Sequence, residues 1–348
     1  MSVFEHHEFA EHEQVSFYND EATGLRALIA VHNTNLGPGL GGCRMWNYAN
    51  SDEALTDVLR LSKGMTYKAA MAGLAQGGGK AVIIGDPRKD KTPALMRAMG
   101  KFVDTLKGQY ITAEDSGITV SDIQMMSENT EHVSGISSKY SFDGKIADGN
   151  PAPATAYGVF VGIKAAVQYM DNADLCGKKI AIKGVGHVGF RLAEHLHRAG
   201  AQLYVADIFP DGVNRAVKEL GATKVNVADI DALDVDVLAP CALGNAINSK
   251  NIAYIGARII AGAANNQLES DEIGIELANK GILYAPDYVI NAGGIIDIYH
   301  QRIQSDASKL RAHLNQIGET LNTIFVEANK SNLSAAKVAN SLAELKFR

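Results

Sequence analysis

The chain is 348 residues long, 46% hydrophobic and 21% charged, with a formal net charge of −6. That is the composition of a globular protein with room for two domains. The acidic balance, without any Lys/Arg block, argues against a nucleic-acid partner. Three scattered cysteines (Cys43, Cys176, Cys241) suit a reducing compartment and exclude a cysteine zinc site, and no stretch is long and apolar enough for a membrane span.

In chain order, the first dozen residues are acidic and His-rich and lack the basic start and apolar core of a signal peptide, so a cytoplasmic location is expected. Residues 25–32 (LRALIAVH) read as a strand. From Ser51 to about Ala72, Leu55, Val58, Leu59 and Ser62 fall on one face of a helix that Ser51 can cap, with Asp52 and Glu53 at its positive end. Gly77-Gly78-Gly79 then precede Lys80, which opens a strand at 80–84 (KAVII). A phosphate loop would need glycine where Leu74 stands, Ser or Thr where Ala81 stands, and a helix after the lysine. The glycines are read instead as room for a substrate and a water beside an unshielded amine. Burial or neighbouring positive charge can make a lysine a usable base near neutral pH. A helix at about 92–107 and a strand at 109–113 (QYITA) follow, with Asp115 just beyond the strand. Lys68 is a second cation, near the end of the first helix. Ligands bind outside the carboxyl ends of strands in open α/β sheets, so Lys68, Lys80 and Asp115 are expected to converge. Each taken alone reads more simply as a solvated surface charge.

The stretch ADGNPAPATAYG (147–158) reads as a linker, and a helix at about 154–170 opens a second unit. In KKIAIKGVGHVGFRLAEHLHRAGAQLYVADI (178–208) a strand leads into Gly184-x-Gly186-x-x-Gly189, a helix, and a strand ending at Asp207. This is the context a dinucleotide fingerprint requires. Gly184 permits the turn, Gly186 lets pyrophosphate approach the backbone, Gly189 lets helix pack on strand, and the helix N-terminus offers N–H donors. Asp207 would accept hydrogen bonds from the adenosine ribose and repel a 2′-phosphate. Ile208, Phe209 and Pro210 offer no cation to offset that, so NAD is favoured over NADP; a ligand-free strand–helix turn is the alternative. Further strands are expected at 235–239, 258–262 and 282–284. Leu310, Leu314, Ile317, Leu321 and Ile324 make the apolar seam of a long helix, for core packing or a subunit interface, and a last helix spans about 333–346. His6, His7, His12 and the His195-x-His197 pair are read as solvated, with no metal site, since helical positions two apart do not share a face. Strands alternating with helices imply an α/β fold.

Eight segments, LGPGLGGCRMW (36–46), LSKGMTYKAAMAGLAQGGGKAVI (61–83), TAEDSGIT (112–119), PATAYGV (153–159), GVGHVG (184–189), LAPCALG (238–244), AGAANNQL (261–268) and YAPDYVINAGG (284–294), carry a resemblance over nearly the whole chain. Their order resembles that of the Glu/Leu/Phe/Val dehydrogenase family, in its leucine/phenylalanine/valine branch and nearest in motif to the leucine dehydrogenases. The resemblance implies an N-terminal α/β substrate-binding and catalytic domain (1–142), on which helices at about 323–348 pack back, and a C-terminal Rossmann NAD-binding domain (143–322), separated by a cleft. It implies a homo-oligomer, dimer or octamer, and NAD-dependent, reversible oxidative deamination of an L-amino acid to its 2-oxo acid and ammonia. By resemblance, Lys68 grips the substrate carboxylate with the backbone of Gly41 and Gly42. Lys80 assists attack of water on the imine, and Asp115 exchanges protons with the nitrogen. The side-chain pocket falls on Leu40, Met65, Ala113, Ile295 and Ile298, with Asn266 bordering substrate and nicotinamide. The cofactor set is Gly184, Val185, Gly186, His187, Val188, Gly189, Asp207, Ile208, Thr155, Cys241, Ala242, Asn266 and Asn291.

An apolar pocket would leave a charged substrate side chain without a partner. Branched Ile295 and Ile298 favour leucine, isoleucine or valine. A few methylenes discriminate by only about 1–3 kcal/mol, so phenylalanine and tryptophan remain the alternative. Asn150 and Asp297 depart from the family pattern, where aspartate and asparagine are more familiar. Another NAD oxidoreductase on the same plan, or an NAD-binding protein without catalysis, would have no need for Lys68, Lys80 and Asp115 together.

Overall fold

Alternation of side chains along short strands builds the first unit, which comprises Met1–Asn150, Ile298–Ser305 and Ala343–Arg348. The computed structural model describes residues 3–136, 150–242 and 244–348. Strands β1 (Gln14–Asp20), β2 (Leu25–Asn33), β3 (Gly39–Trp46), β4 (Gly77–Ile84) and β5 (Tyr110–Glu114) form one sheet in the order β1-β2-β4-β3-β5. β1 and β4 run antiparallel to β2, whereas β3 runs parallel to both β4 and β5. Helix α1 (Ser51–Met71) lies on one face, and α2 (Pro93–Thr105) and α3 (Val120–Met126) on the other. The two-residue period of a strand sorts the core. Ala27, Ile29, Val31, Ala81 and Ile83 join Met96, Met99 and Phe102 of α2 and Ile123 and Met126 of α3. Leu28, Ala30 and Val82 meet Leu55, Val58 and Leu59 of α1. Each large apolar side chain so buried contributes about 1.5–3 kcal/mol.

Asn50, rather than Ser51, caps α1: its side chain accepts the Glu53 N–H at 2.9 Å. His6 and His12, expected to be solvated, are buried. Each accepts a backbone N–H of its own loop at Nδ1, and their Nε2 atoms face Thr56 Oγ1 and Ser62 Oγ respectively. Local turns satisfy these rings against α1, which no sequence spacing reveals.

The second unit comprises Pro151–Asp297 and Asp306–Leu342. Helix α4 (Ala152–Asp171) opens it, so most of the stretch read as a linker is helical, with Pro151 at its N-cap and Pro153 in its first turn, where a missing N–H costs nothing. Then come β6 (Lys179–Lys183), α5 (His187–Arg198), β7 (Gln202–Ala206), α6 (Pro210–Leu220), β8 (Thr223–Lys224), β9 (Val237–Pro240), β10 (Ile259–Ile260), α7 (Asp271–Asn279), β11 (Leu283–Tyr284) and α8 (Asp287–Ile290). The sheet order β11-β10-β9-β6-β7-β8, parallel at every pairing, is that of a Rossmann fold. α9 spans Gly293–Arg302, α10 Ala307–Ser331 and α11 Ala335–Phe347.

The seam of α10 packs on α4. A Cβ on Gly158 would lie 2.7 Å from Ile317 Cδ1, and one on Gly162 2.9 Å from Leu321 Cδ1. This close packing keeps Asp306–Leu342 in the second unit, where residues from about 323 were expected on the first; of the C-terminal residues only Ala343–Arg348 join the first unit, with Tyr67 donating to Glu344 at 2.7 Å and Asn35 to Phe347 O at 2.8 Å, and that unit also takes Ile298–Ser305, which were expected in the second. The expected boundary at 142/143 lies outside the described residues.

Candidate active site

Lys80 does not open β4. It is the fourth residue of that strand, paired with Ala30 of β2, and three glycines of the same strand precede it. They are not vacant space. A Cβ on Gly77 would lie 1.9 Å from Asn33 O, one on Gly78 2.1 Å from Thr66 N of α1, and one on Gly79 2.6 Å from the Tyr110 ring. Only hydrogen on the α-carbon lets helix and strands approach this closely. Gly78 therefore seats α1 against β4, while Gly77 and Gly79 admit the Asn33 backbone and the Tyr110 ring, which corrects the reading of the three as room for substrate and water.

By strand period, Gly78, Lys80 and Val82 share the face that α1 covers. The parallel strands on one side of β4 bring up the remaining groups. β3 pairs with β5 so that Gly41 faces Thr112 and Gly42 faces Ala113, and Asp115 follows β5 directly. A Cβ on Gly41 would lie 1.8 Å from Gly79 O and 3.4 Å from Met65 Cγ; one on Gly42 would lie 2.7 Å from Asp115 Cβ. Leu40 and Ala113 are buried, and Tyr110 fixes β3 by donating to Gly41 O at 2.6 Å. Lys68 is half-buried in the last turn of α1, two residues beyond Thr66. Ile298 belongs to this unit, its carbonyl accepting from Ser134 Oγ at 3.3 Å. Ile295 belongs to the second unit.

The ammonium of buried Lys80 donates to Asp115 Oδ2. Asp115 Oδ1 accepts the Ser116 N–H at 2.6 Å. Burial pushes this carboxyl up, but Lys80, Arg44 and the Ser116 N–H outweigh it and hold it well below the ordinary carboxylate range. The Lys80 side chain is only 6% exposed and that of Asp115 20%, so the carboxylate connects the buried amine to solvent.

Sequence reasoning missed Arg44, whose Nη2 lies 3.6 Å from Asp115 Oδ2, and Asp57, which accepts from Arg44 Nη1 at 2.9 Å. A signal was present: Arg44 is the one charged residue in β3 (GLGGCRMW).

In the second unit the three glycines of the fingerprint meet three different surroundings. Gly184 has φ +104°, and a Cβ there would lie 2.7 Å from Ala242 N. A Cβ on Gly189 would lie 2.0 Å from Gly184 O, whereas one on Gly186 would meet nothing within 4 Å. Gly186 is also the N-cap of α5 and provides no capping side chain for the first-turn N–H groups, to which His187 and Val188 belong. Asp207 accepts the Val185 N–H at 2.7 Å and the Phe209 N–H at 2.9 Å, which fixes its carboxylate at the end of β7, while Ile208 is exposed beside it. Cys241 Cβ lies 3.3 Å from the would-be Gly189 Cβ. Asn291 donates to Ala263 O at 3.1 Å and Asn265 Oδ1 at 2.7 Å, and its own buried Oδ1 has no partner among the described residues. Asn266 adopts φ +49°, with its carbonyl accepting from Asn245 N at 2.7 Å. Thr155 donates to Pro151 O at 3.0 Å, and its Oγ1 is 2.9 Å from a would-be Cβ on Gly294. An open approach at Gly186, a helix N-terminus without a capping side chain and, among the described residues, an orphaned amide oxygen together fit a dinucleotide.

Residues 10–132 match the family model described as Glu/Leu/Phe/Val dehydrogenase, dimerisation domain, and residues 149–208 and 210–345 match that described as Glutamate/Leucine/Phenylalanine/Valine dehydrogenase. The leucine dehydrogenase of Geobacillus stearothermophilus is 47% identical over 99% of this chain and 93% of its own length. The L-tryptophan dehydrogenase of Nostoc punctiforme is 46% identical over 99% of this chain and 96% of its own. A crystal structure of L-tryptophan dehydrogenase from that organism superposes with a TM-score of 0.84 at 44% identity, covering 97% of this chain and 96% of the other.

Proposed function

The chain belongs to the Glu/Leu/Phe/Val dehydrogenase family, as an oxidoreductase acting on amino acids, and we propose that it carries out the NAD-dependent, reversible oxidative deamination of an apolar L-amino acid, with leucine, isoleucine or valine preferred, to its 2-oxo acid and ammonia. The observation that carries this reading is the buried Lys80 donating to an ionised Asp115 on a sheet face that also bears apolar Leu40 and Ala113.

NAD, when bound, supplies the hydride acceptor. The α5 N-terminus and the bare backbone at Gly186 would hold its pyrophosphate. Asp207 would hold its ribose, and Thr155, Asn266 and Asn291 would border its nicotinamide. In the first unit Lys68, with the backbone of Gly41 and Gly42, grips the substrate carboxylate. Once Cα has lost its hydride the substrate is an imine, and water must add to it. Lys80 takes the proton of that water, and its own proton leaves through Asp115. The same carboxylate carries protons to and from the departing nitrogen as the carbinolamine collapses. Uncharged Leu40, Met65, Ala113, Ile295 and Ile298 support an apolar side chain over a charged one, whose burial without a partner is costly. The family description of residues 10–132 as a dimerisation domain supports a homo-oligomer. Among the described residues no helix is long and apolar enough to cross a membrane. We propose a cytoplasmic location.

The test is NADH formation across L-leucine, L-isoleucine, L-valine, L-phenylalanine and L-tryptophan at alkaline pH, with Lys80→Ala alongside. We expect the branched substrates to lead. Lys80→Ala should lower kcat by about 10²–10⁴ while NAD still binds. Ordinary turnover by Lys80→Ala would sink the assignment of the base. A faster rate with tryptophan or phenylalanine would move the preference to the aromatic alternative.

A further inference from the structure

Asp115 is held from two sides. Its Oδ2 faces both the Lys80 ammonium and Arg44 Nη2, the latter at 3.6 Å. Arg44 is itself anchored: Nη1 donates to Asp57 Oδ2 at 2.9 Å, and Tyr48 donates to that same oxygen at 2.7 Å. From Lys80 through Asp115 and Arg44 to Asp57 the charges alternate across three strands and α1. The close approach depends on Gly42, since a Cβ there would strike Asp115 Cβ at 2.7 Å.

This matters to the proton path. Each time Lys80 is neutral, Asp115 loses its nearest counter-charge in a poorly solvated site, where an uncompensated carboxylate tends to take up a proton or turn away. Arg44 cannot deprotonate and stays where it is.

We propose that Arg44 is a positioning residue for the reaction, holding Asp115 against Lys80 and returning it to the carboxylate after each proton it passes on, so that it is ready for the next one Lys80 gives up. This rests on the assignment of Lys80 and Asp115 as the acting pair. Among the described residues, the other titratable groups that act on this pair or on Arg44 include Cys43 of β3, Tyr110 of β5, Tyr48, Asp57 of α1 and, acting on Cys43, Asp122 of α3; Arg60 lies 3.5 Å from Asp57. Burial pushes Cys43, Tyr48 and Tyr110 up, so these three stay neutral over the working range.

The experiment compares kcat and KM against pH for oxidation of L-leucine with NAD in the wild type, Arg44→Gln, Arg44→Lys and Asp115→Asn, with thermal melts to establish that each is folded. Arg44→Gln keeps a donor for Asp57 and removes the charge. Losing a cation makes the Lys80–Asp115 pair hold its proton more tightly, so the rising limb of kcat moves to higher pH by about one unit. At the optimum kcat falls about a hundredfold and KM changes far less. Arg44→Lys restores the charge and returns the limb to the wild-type position. A limb in Arg44→Gln that superposes on the wild type overturns the proposal, as does one in Arg44→Lys displaced as far as that of Arg44→Gln. If Asp115→Asn turns over at the wild-type rate, the acting pair itself is wrong. If Asp115→Asn is inactive and the Arg44→Gln limb is unmoved, only the role of Arg44 fails.

Discussion

Replacing Gly78 by alanine tests how α1 sits on β4. The added methyl would lie 2.1 Å from Thr66 N, 2.2 Å from Thr66 Oγ1 and 2.5 Å from Ser62 O. Two of these are backbone atoms of a helix, so no side-chain rotation relieves them. Ordinary contact begins near 3.5 Å, so α1 must retreat by more than about 1 Å. Overpacking of this kind costs about 1–3 kcal/mol, and the backbone contacts put Gly78→Ala at the upper end, about 3 kcal/mol. In a unit of this size that lowers Tm by roughly 6–12 °C. Gly64→Ala is the matched control. It sits in the interior of the same helix, exposed, with nothing within 4 Å of a new Cβ. There alanine should stabilise by about 0.5–1 kcal/mol, because it loses less backbone entropy than glycine. Differential scanning calorimetry of both variants reads the result. If Gly78→Ala melts with the wild type, α1 and β4 are not in the contact described. Retreat of α1 also carries Lys68 away, so KM for the amino acid should rise in Gly78→Ala and stay unchanged in Gly64→Ala.

Two further outcomes are expected. Burial, assisted by His12 and Lys63, lowers the pKa of His32 from 6.5 to about 4. The unfolded chain therefore binds the proton first, and stability is intact above about pH 6.5 and lost as pH falls toward 4; between about pH 7 and pH 5 the loss is about 2 kcal/mol. The urea midpoint should fall over that interval. It should fall less in His32→Asn, which can still pair with Thr66 Oγ1 but does not titrate, and an unchanged pH slope would refute the assignment. Asp207→Ala should raise kcat/KM with NADP relative to NAD, by removing a charge that repels a 2′-phosphate; an unaltered ratio would count against the ribose contact.

Much of the second unit was readable from the chain because its signals are local. Gly184, Gly186 and Gly189 lie within one strand–turn–helix, and their three surroundings, a positive φ, an open approach and a tight helix contact, match the three demands of the motif. The seam of Leu310, Leu314, Ile317, Leu321 and Ile324 was equally plain, since helical periodicity needs no knowledge of the partner. Period alone could not say that α4 would receive it. Strand β3 was harder: GLGGCRMW has too many glycines to read as a strand, and it becomes one only between β4 and β5, whose backbones approach through those glycines.

The residue types of the candidate site were therefore fixed by sequence, and their grouping by tertiary structure. Lys80 and Asp115 stood out as a base and an acid beside strands. That they share a hydrogen bond, that Arg44 and Asp57 extend the line of charge, and that Gly78 seats a helix are consequences of packing. Sequence patterns report what each segment prefers by itself; the distance between two segments is set by how closely their backbones can approach, and here that is decided by where side chains are missing.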